Sequence, residues 1–210
     1  MILHGYWRSS AAYRVRIALA LKGVAYEQVT HDLRTGAQGA DAYRALNPQA
    51  LVPALEHDGA VIVQSPAILE WIEERFPAPA LLPADATDRA TVRAMMAIVA
   101  CDIHPLNNLR VQTMLRRDLG ANDAAVTAWI ARWIGDGFAA LETLIDRHGR
   151  GFAFGDAPGL ADCVLVPQVY SAERFAVDLA PYPALTAAAA KARALDAVIA
   201  AHPDRQPDAP

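Results

Sequence analysis

Ser9 and Ser10 are the first residues whose type and position suggest chemistry. They come directly before a segment in which Val15, Ala18 and Leu19 fall on one helix face. The first N–H groups of a helix have no partner within the helix, and the helix dipole is positive at that end. The two serines therefore either cap this helix or also help to hold a negatively charged group at its start.

Ser65 occupies a similar position ahead of a second helical pattern. A serine there is expected to cap the helix, and Pro66 suits its first turn. The apolar face of this helix is expected to carry Ile68, Leu69, Ile72 and Phe76. The opposite face is expected to carry Glu70, Glu73 and Glu74. The free N–H groups of the first turn also suit a carboxylate, so Ser65 is a candidate for capping and for binding.

A planar guanidinium matches a carboxylate better than a lysine does, so Arg8, Arg110 and Arg174 could each bind one. Taken singly, each is more often a solvated surface charge. On an unbroken helix Arg110 would face away from His104. Its role therefore depends on a kink at Pro105 or on reaching across a dimer. His104 either stabilises negative charge or is a structural histidine near that kink.

Composition and cysteine usage restrict the possible classes of protein. The 210 residues are 54% apolar and 20% charged, as in a folded globular protein, and the net charge of −4 argues against nucleic acid as a partner. No apolar run approaches the roughly 20 residues that a membrane span needs, and we expect no signal peptide. We therefore expect a cytoplasmic protein without a membrane segment.

The two cysteines, Cys101 and Cys163, are not in a CxxC pair and lie in apolar helical stretches. Buried free thiols are the expected state for both. Cys101 and His104 share a predicted helix face, but no third ligand is nearby, so no metal site is expected.

The first part of the chain, to about residue 76, alternates strand and helix signals. Strands are expected at residues 1–6 and 25–30, and residues 33–40 are expected to form a mobile loop. Residues 54–63 predict a hairpin that turns at Asp58-Gly59. The order is βαβ, a linking segment, then ββα, which is typical of a thioredoxin-like domain.

The second part of the chain predicts helices alone. Residues 77–85 form a linker rich in Pro and Ala, after which Val92, Met95, Val99 and Ile103 keep helical spacing up to a kink at Pro105. Later helices are expected at 123–147, at 160–175 with Gly159 as its cap, and in two shorter stretches before 202, followed by an extended tail. The predicted domains are residues 1–80 and 87–210.

Several motifs resemble those of zeta-class glutathione transferases. In the first domain they are Arg8-Ser9-Ser10-Ala11-Ala12-Tyr13-Arg14-Val15-Arg16-Ile17-Ala18-Leu19, Ala45-Leu46-Asn47-Pro48, Val52-Pro53 and Gln64-Ser65. In the second they include Pro105-Leu106-Asn107-Asn108, Val166-Pro167-Gln168-Val169, Ala172-Glu173-Arg174-Phe175 and Arg205-Gln206-Pro207-Asp208. The resemblance spans nearly the whole chain. It departs from the family at Ala11, where a cysteine is usual, which puts a role for a protein thiol in doubt.

The resemblance implies a glutathione transferase fold, an α/β thioredoxin-like N-terminal domain followed by an all-α C-terminal domain, with glutathione as cofactor. It implies that Ser9 hydrogen-bonds the sulfur anion, whose formation the helix start favours because a free thiol has a pKa of about 8.5. The other residues implied in glutathione binding are Ser10, Ala11, Gln49, Val52, Pro53, Gln64, Ser65, His104 and Asn108. A cis Pro53 would turn the backbone of Val52 outward to pair with the cysteinyl part of the tripeptide.

The resemblance also implies an activity, the cis–trans isomerisation of a maleyl dicarboxylic acid. The sulfur anion would add to the double bond, the bond would rotate, and elimination would give the fumaryl product. Ser9, Ser10, Arg8 and His104 are the implied catalytic residues, and Arg8, Arg110 and Arg174 the implied substrate-binding ones. The alternatives are a conjugating or dehalogenating transferase and a non-catalytic interaction module. A homodimer is also implied.

Overall fold

The structure is a computed structural model that describes residues 1–210. Its contacts divide into two compact units, one formed by Met1–Leu81 together with Arg193–Pro210 and the other by Leu82–Ala192. The strands are β1 (Ile2–Gly5), β2 (Glu27–Thr30), β3 (Ala54–His57) and β4 (Ala60–Val63). The helices are α1 (Ser10–Leu21), α2 (Asp41–Leu46), α3 (Ser65–Arg75), α4 (Ala86–Ala97), α5 (Leu109–Arg117), α6 (Asp123–His148), α7 (Leu160–Arg174), α8 (Pro183–Arg193) and α9 (Asp196–Ala201). None of the helices combines the length and apolar character that crossing a bilayer requires.

A four-stranded mixed sheet in the order β2-β1-β3-β4 forms the centre of the first unit. Strand β1 pairs parallel with β2 and antiparallel with β3, which pairs antiparallel with β4. The predicted thioredoxin-like layout is therefore confirmed. The predicted hairpin is confirmed as well, because Asp58 (φ 49°) and Gly59 (φ 79°) both adopt the positive φ that a two-residue turn needs.

Helix α1 begins and ends where the sequence predicts. Ser9 is its N-cap, and its apolar residues Val15, Ala18 and Leu19 are completely buried. The chain leaves the helix at Gly23, whose φ of 66° few residues other than glycine adopt easily. The helix start that carries Ser9 is therefore fixed by a cap at one end and a packed face along its length.

The segment between β2 and β3 is more ordered than predicted. The linking segment contains helix α2, and the predicted loop 33–40 contains a short 3₁₀ turn, Ala37–Gly39. Tyr43 of α2 is buried, and its hydroxyl donates to the carbonyl of Leu51. This tertiary contact, rather than local propensity, stabilises a helix of only six residues.

In helix α3 the predicted apolar residues Ile68, Leu69 and Ile72 are buried. The prediction that Glu73 lies on a solvated face is wrong. Its carboxylate is buried, pairs with the ammonium of Lys22 at 2.5 Å and accepts the N–H of Leu81. A buried carboxylate needs such partners, because desolvation of an unpaired charge is costly.

The second unit is helical, as predicted, and the residues Val92, Met95, Val99 and Ile103 all lie in its core. Pro105 does not kink a continuous helix. Helix α4 instead passes into a π-helical segment, Ile98–Ile103, and then a 3₁₀ turn, His104–Asn107. Pro105 has no N–H to donate and lies at the second position of this 3₁₀ turn, where a missing N–H is tolerated.

Helix α7 is almost entirely buried, and Gly159 is its N-cap, as expected. Because glycine has no side chain, Asp162 stabilises this helix start. Its carboxylate accepts the N–H of Gly159 and the N–H of Ala153, each at 2.9 Å. Of the two cysteines, Cys163 in α7 is buried, whereas Cys101 is exposed. The prediction of burial is thus wrong for Cys101, which lies on the outward face of the π-helical segment.

The tail of the chain packs with the first unit, although the second predicted domain, 87–210, included it. Helix α9 lies against α1, and residues 203–205 form a 3₁₀ turn where an extended tail was expected. The hydrogen bonds of this tail connect it to residues near the start of the chain. Periodicity and composition carry no information about such distant partners.

Candidate active site

The amino end of α1 presents several hydrogen-bond donors. The Ser9 Oγ accepts the N–H of Ala12 at 3.2 Å, so the hydroxyl proton of Ser9 remains available to a further acceptor. The N–H groups of Ser10 and Ala11, in the first turn, have no acceptor within the chain. Together with the positive end of the helix dipole, these donors favour an anion beside Ser9.

Arg8 adds a positive charge next to this helix start. Its side chain is exposed, and the guanidinium carbon lies 5.4 Å from the centre of the Trp7 ring. The turn that carries it is closed by the N–H of Ser9, which donates to the Tyr6 carbonyl at 3.0 Å. Arg8 and Ser9 are therefore adjacent side chains on one short, hydrogen-bonded turn.

Val52 and Pro53 form a second part of the candidate site. The peptide bond between them is cis, as the resemblance implied, and neither the N–H nor the carbonyl of Val52 has a partner within the chain. The preceding carbonyl, that of Leu51, accepts from the Tyr43 hydroxyl at 2.8 Å and from Asn47 Nδ2 at 2.6 Å. Burial raises the pKa of Tyr43 to about 12, so this hydroxyl keeps its proton as a donor at neutral pH. The segment is therefore anchored while the peptide groups of Val52 can pair with an extended ligand.

Gln49, Gln64 and Ser65 define a third part. The structure brings the two glutamine side chains together, since Gln64 Nε2 donates to Gln49 Oε1, and both are exposed. The prediction that Ser65 caps α3 is wrong. Gln64 precedes the helix with φ 70°, and the buried Ser65 hydroxyl instead accepts from Arg14 Nη1 at 3.0 Å. Ser65 is the first residue of α3, so Gln64 and not Ser65 occupies the N-cap position.

Arg14 was not among the predicted site residues. Its side chain is 2% exposed, which is rare for an arginine, and it supplies positive charge behind Ser65. The available signal was an arginine within an otherwise apolar helical pattern. That signal could not identify its partner, because Ser65 lies 51 positions further along the chain.

In the second unit, His104, Asn108 and Arg110 lie on consecutive short elements. His104 is half-buried at the first position of the 3₁₀ turn. Asn108 is extended and caps α5, because its Oδ1 accepts the N–H of Arg110 at 3.1 Å. The helix is thus interrupted between His104 and Arg110, so the expectation from an unbroken helix, that Arg110 faces away from His104, does not apply.

Arg174 is the last residue of α7 and is exposed. Its guanidinium carbon lies 5.8 Å from the centre of the Tyr170 ring and 5.5 Å from that of Phe175. Contacts of a cation with aromatic faces restrict the side chain without neutralising its charge. These aromatic contacts hold the Arg174 side chain at the end of α7.

Comparison with known proteins places this arrangement in a family. Residues 3–80 match the family described as "Glutathione S-transferase, N-terminal domain", and residues 127–201 match "Glutathione S-transferase, C-terminal domain". A protein of Ralstonia sp named maleylpyruvate isomerase is 54% identical over 211 residues, which cover 99% of each chain. The chain therefore belongs to the glutathione S-transferase family.

Solved structures narrow the family to a class. A structure described as the holo form of maleyl pyruvate isomerase, a bacterial zeta-class glutathione transferase, matches with a TM-score of 0.97 at 52% identity over the whole of both chains. A maleylacetoacetate isomerase from Anaeromyxobacter dehalogenans 2CP-1, solved with glutathione in its active site, matches with a TM-score of 0.90 at 49% identity, covering 100% of this chain and 97% of that one. The zeta-class membership predicted from the motifs is confirmed.

Proposed function

We propose that this protein catalyses the glutathione-dependent cis–trans isomerisation of a maleyl dicarboxylate, either maleylacetoacetate or maleylpyruvate, to its fumaryl product. The names of relatives about half identical to the chain support this reaction. The observation that carries the mechanism is the hydrogen bonding of Ser9. Its Oγ accepts the N–H of Ala12 and so keeps a proton to donate to a sulfur anion at the start of α1.

The hydrogen-bonding groups and the charge of the first unit suit the binding of glutathione. The two unpaired peptide groups of Val52 match the main chain of an extended peptide. Ser65, Gln64 and Gln49 lie where a carboxylate and an amide would find donors, with the Arg14 charge behind Ser65. When bound, glutathione supplies the sulfur nucleophile that adds to the cis double bond and is released unchanged after rotation.

Ser9 and the N–H groups of Ser10 and Ala11 lower the free energy of an anion at this helix start. A thiol near its ordinary pKa of about 8.5 is mostly protonated at neutral pH, so donors directed at the sulfur increase the reactive fraction. Arg8, next to Ser9 in the chain, acts in the same direction because its charge favours the anion.

The substrate has two acidic groups, and we assign Arg8, Arg110 and Arg174 to them. Guanidinium groups form paired hydrogen bonds with carboxylates, and all three side chains are exposed to solvent. We assign His104 to the negative charge that develops on the substrate carbonyl during the reaction. Asn108 caps α5, and we also assign it a polar contact to the cofactor.

Replacing Ser9 by alanine and by threonine tests the mechanism. Ser9→Ala removes the donor and should lower turnover of maleylacetone roughly a hundredfold, as loss of one directed donor does in other enzymes. Ser9→Thr keeps a hydroxyl and a good N-cap, so it should retain most activity and serves as the matched control. Unchanged turnover in Ser9→Ala would contradict the assigned role.

The fate of glutathione separates the three functional classes. An isomerase returns all of its glutathione after many turnovers. Loss of one glutathione per product would identify a conjugating or dehalogenating transferase instead. A folded protein that binds no glutathione in calorimetry would indicate a non-catalytic interaction module.

We further propose that the protein is a cytoplasmic homodimer. The dimer follows from the resemblance to zeta-class transferases, and light scattering on the purified protein tests it. Cys101 and Cys163 form no disulfide, which fits a compartment where thiols stay reduced.

A further inference from the structure

We propose that Asp208, near the carboxyl end of the chain, is a positioning residue for the turn that carries Arg8 and Ser9. We name residues 6–9 the catalytic turn. The proposal rests on the function assigned above to Ser9. It concerns a residue that does not belong to the predicted site and that lies 199 positions after Ser9 in the sequence.

The side chain of Asp208 is hydrogen-bonded to the main chain of the catalytic turn. Its Oδ2 accepts the N–H of Trp7 at 2.9 Å, and its Oδ1 accepts a hydrogen bond from Nε2 of Gln28 on β2 at 2.8 Å. Both carboxylate oxygens are therefore engaged, one by the turn and one by the sheet. A carboxylate bound at two points fixes the N–H of Trp7 relative to the central sheet.

The guanidinium of Arg16 is hydrogen-bonded to carbonyl groups of the same turn. Its Nη2 donates to the Trp7 carbonyl at 2.9 Å and its Nη1 to the Tyr6 carbonyl at 3.5 Å, while Nε donates to the carbonyl of Ala201 at 3.0 Å. The side chain is 1% exposed. One buried guanidinium thus connects the end of α9 to the catalytic turn.

The tail that supplies Asp208 is itself folded. Gln206 is buried, and its Nε2 donates to the carbonyls of Ala200 at 3.2 Å and His202 at 2.9 Å. The N–H of Ala209 donates to the Gln206 carbonyl at 3.0 Å. Asp208 is therefore presented by an ordered turn rather than by a loose end.

The negative charge of Asp208 indicates that this residue acts by orienting the donors of the turn and not by its charge. The Asp208 carboxylate is bonded to Trp7, which lies one residue before Arg8 and two before Ser9, so by charge alone it would oppose a sulfur anion at Ser9. Its benefit must then come from the hydrogen bond, which orients the donors of the turn. Small misplacement of such donors lowers catalysis strongly.

The test compares Asp208→Ala, Asp208→Asn and Asp204→Ala in the full-length protein. Alanine removes both hydrogen bonds. Asparagine can accept from Trp7 with Oδ1 and donate with Nδ2 to a rotated Gln28 amide, so it restores the geometry without the charge. Asp204 is an exposed carboxylate of the same tail and serves as the matched control.

Three quantities are measured. The first is hydrogen exchange of the Trp7 amide in the free protein, which ¹⁵N-tryptophan labelling resolves because the chain has four tryptophans. The second is the pKa of the bound thiol, from the ultraviolet absorption of the sulfur anion. The third is turnover, as kcat and KM separately.

We expect Asp208→Ala to speed Trp7 exchange about tenfold, as loss of a charge-assisted hydrogen bond implies. It should also raise the thiol's pKa and lower kcat more than it raises KM. Asp208→Asn and Asp204→Ala should resemble the wild type. If Asp208→Ala does not fold, Gln28→Ala, which loosens only the Oδ1 contact, should shift all three quantities in the same directions but less.

Several results would overturn the proposal. These are an unchanged Trp7 exchange rate in Asp208→Ala, faster exchange with no change in the thiol's pKa, or an asparagine variant as impaired as the alanine one. Failure of the proposed function is recognised separately, because a wild type that does not bind glutathione still gives the Trp7 exchange rates.

Discussion

Replacing Asp162 by alanine should destabilise the protein, and the loss should be smaller at neutral pH than in mild acid. The carboxyl of Asp162 is 2% exposed and accepts the N–H groups of Ala153 and Gly159 at the start of α7. Each N–H left unpaired costs about 2 kcal/mol, so the alanine variant loses about 4 kcal/mol when the carboxyl is protonated.

Ionisation of the Asp162 carboxyl in the wild type reduces the difference in stability between the wild type and the alanine variant. Burial raises the pKa of Asp162 from 3.8 to about 6, because desolvation of the charge outweighs the stabilising N–H groups of Ala153 and Gly159. Since one pKa unit corresponds to about 1.4 kcal/mol, full ionisation costs the folded protein about 3 kcal/mol more than the unfolded chain. The folded protein binds more protons between about pH 4 and pH 6, so stability falls as pH rises through that window.

The expected loss for Asp162→Ala is then about 2 kcal/mol near pH 5 and about 1 kcal/mol near pH 7. Urea unfolding of both proteins, followed by circular dichroism at the two pH values, measures it. Asp162→Asn is the control, because it is uncharged and should differ from the alanine variant by the same amount at both pH values. A loss that grows as pH rises would show that the N–H groups, not burial, dominate the ionisation of Asp162 and would refute this reasoning.

Two further substitutions test the packing of each unit. An added Cβ at Gly137 of α6 would lie 2.3 Å from the buried side chain of Ile103, so Gly137→Ala should destabilise the protein by about 1–3 kcal/mol. Gly135→Ala, whose Cβ would meet only an ordinary contact, should stabilise it by about 0.5–1 kcal/mol. Thermal unfolding compares the two variants, and equal shifts of the melting temperature would contradict the predicted clash. In the first unit, Glu73→Ala leaves the buried Lys22 without its carboxylate and should cost about 3–5 kcal/mol. The additional change Lys22→Met should recover much of that loss in denaturant unfolding, and a double variant as unstable as the single one would argue against a buried charge as the cause.

Short-range features of this protein follow from its sequence. Ser9 caps α1 because a serine precedes an apolar helical pattern, and Asp58-Gly59 turns the hairpin because both residues tolerate positive φ. The buried face of α4, with Val92 and Met95, follows from helical spacing. The motifs also indicated the family and the fold, which the comparisons confirm.

Tertiary structure decided where polar side chains find their partners. Ser65 has the residue type of a cap, yet its hydroxyl accepts from Arg14, and Glu73 has the spacing of a solvated residue, yet it pairs with Lys22 in the interior. Such partners lie far apart in the chain and meet only after the sheet and helices have packed.

The hydrogen bond between Trp7 and Asp208 shows most clearly what the sequence alone cannot predict, because it joins residues 201 positions apart. Capping, turn geometry and hydrophobic period act over a few residues, so the sequence determines helix starts, turns and buried faces. A hydrogen bond between the two ends of the chain depends on the packing of all the elements between them, so only the folded protein determines it.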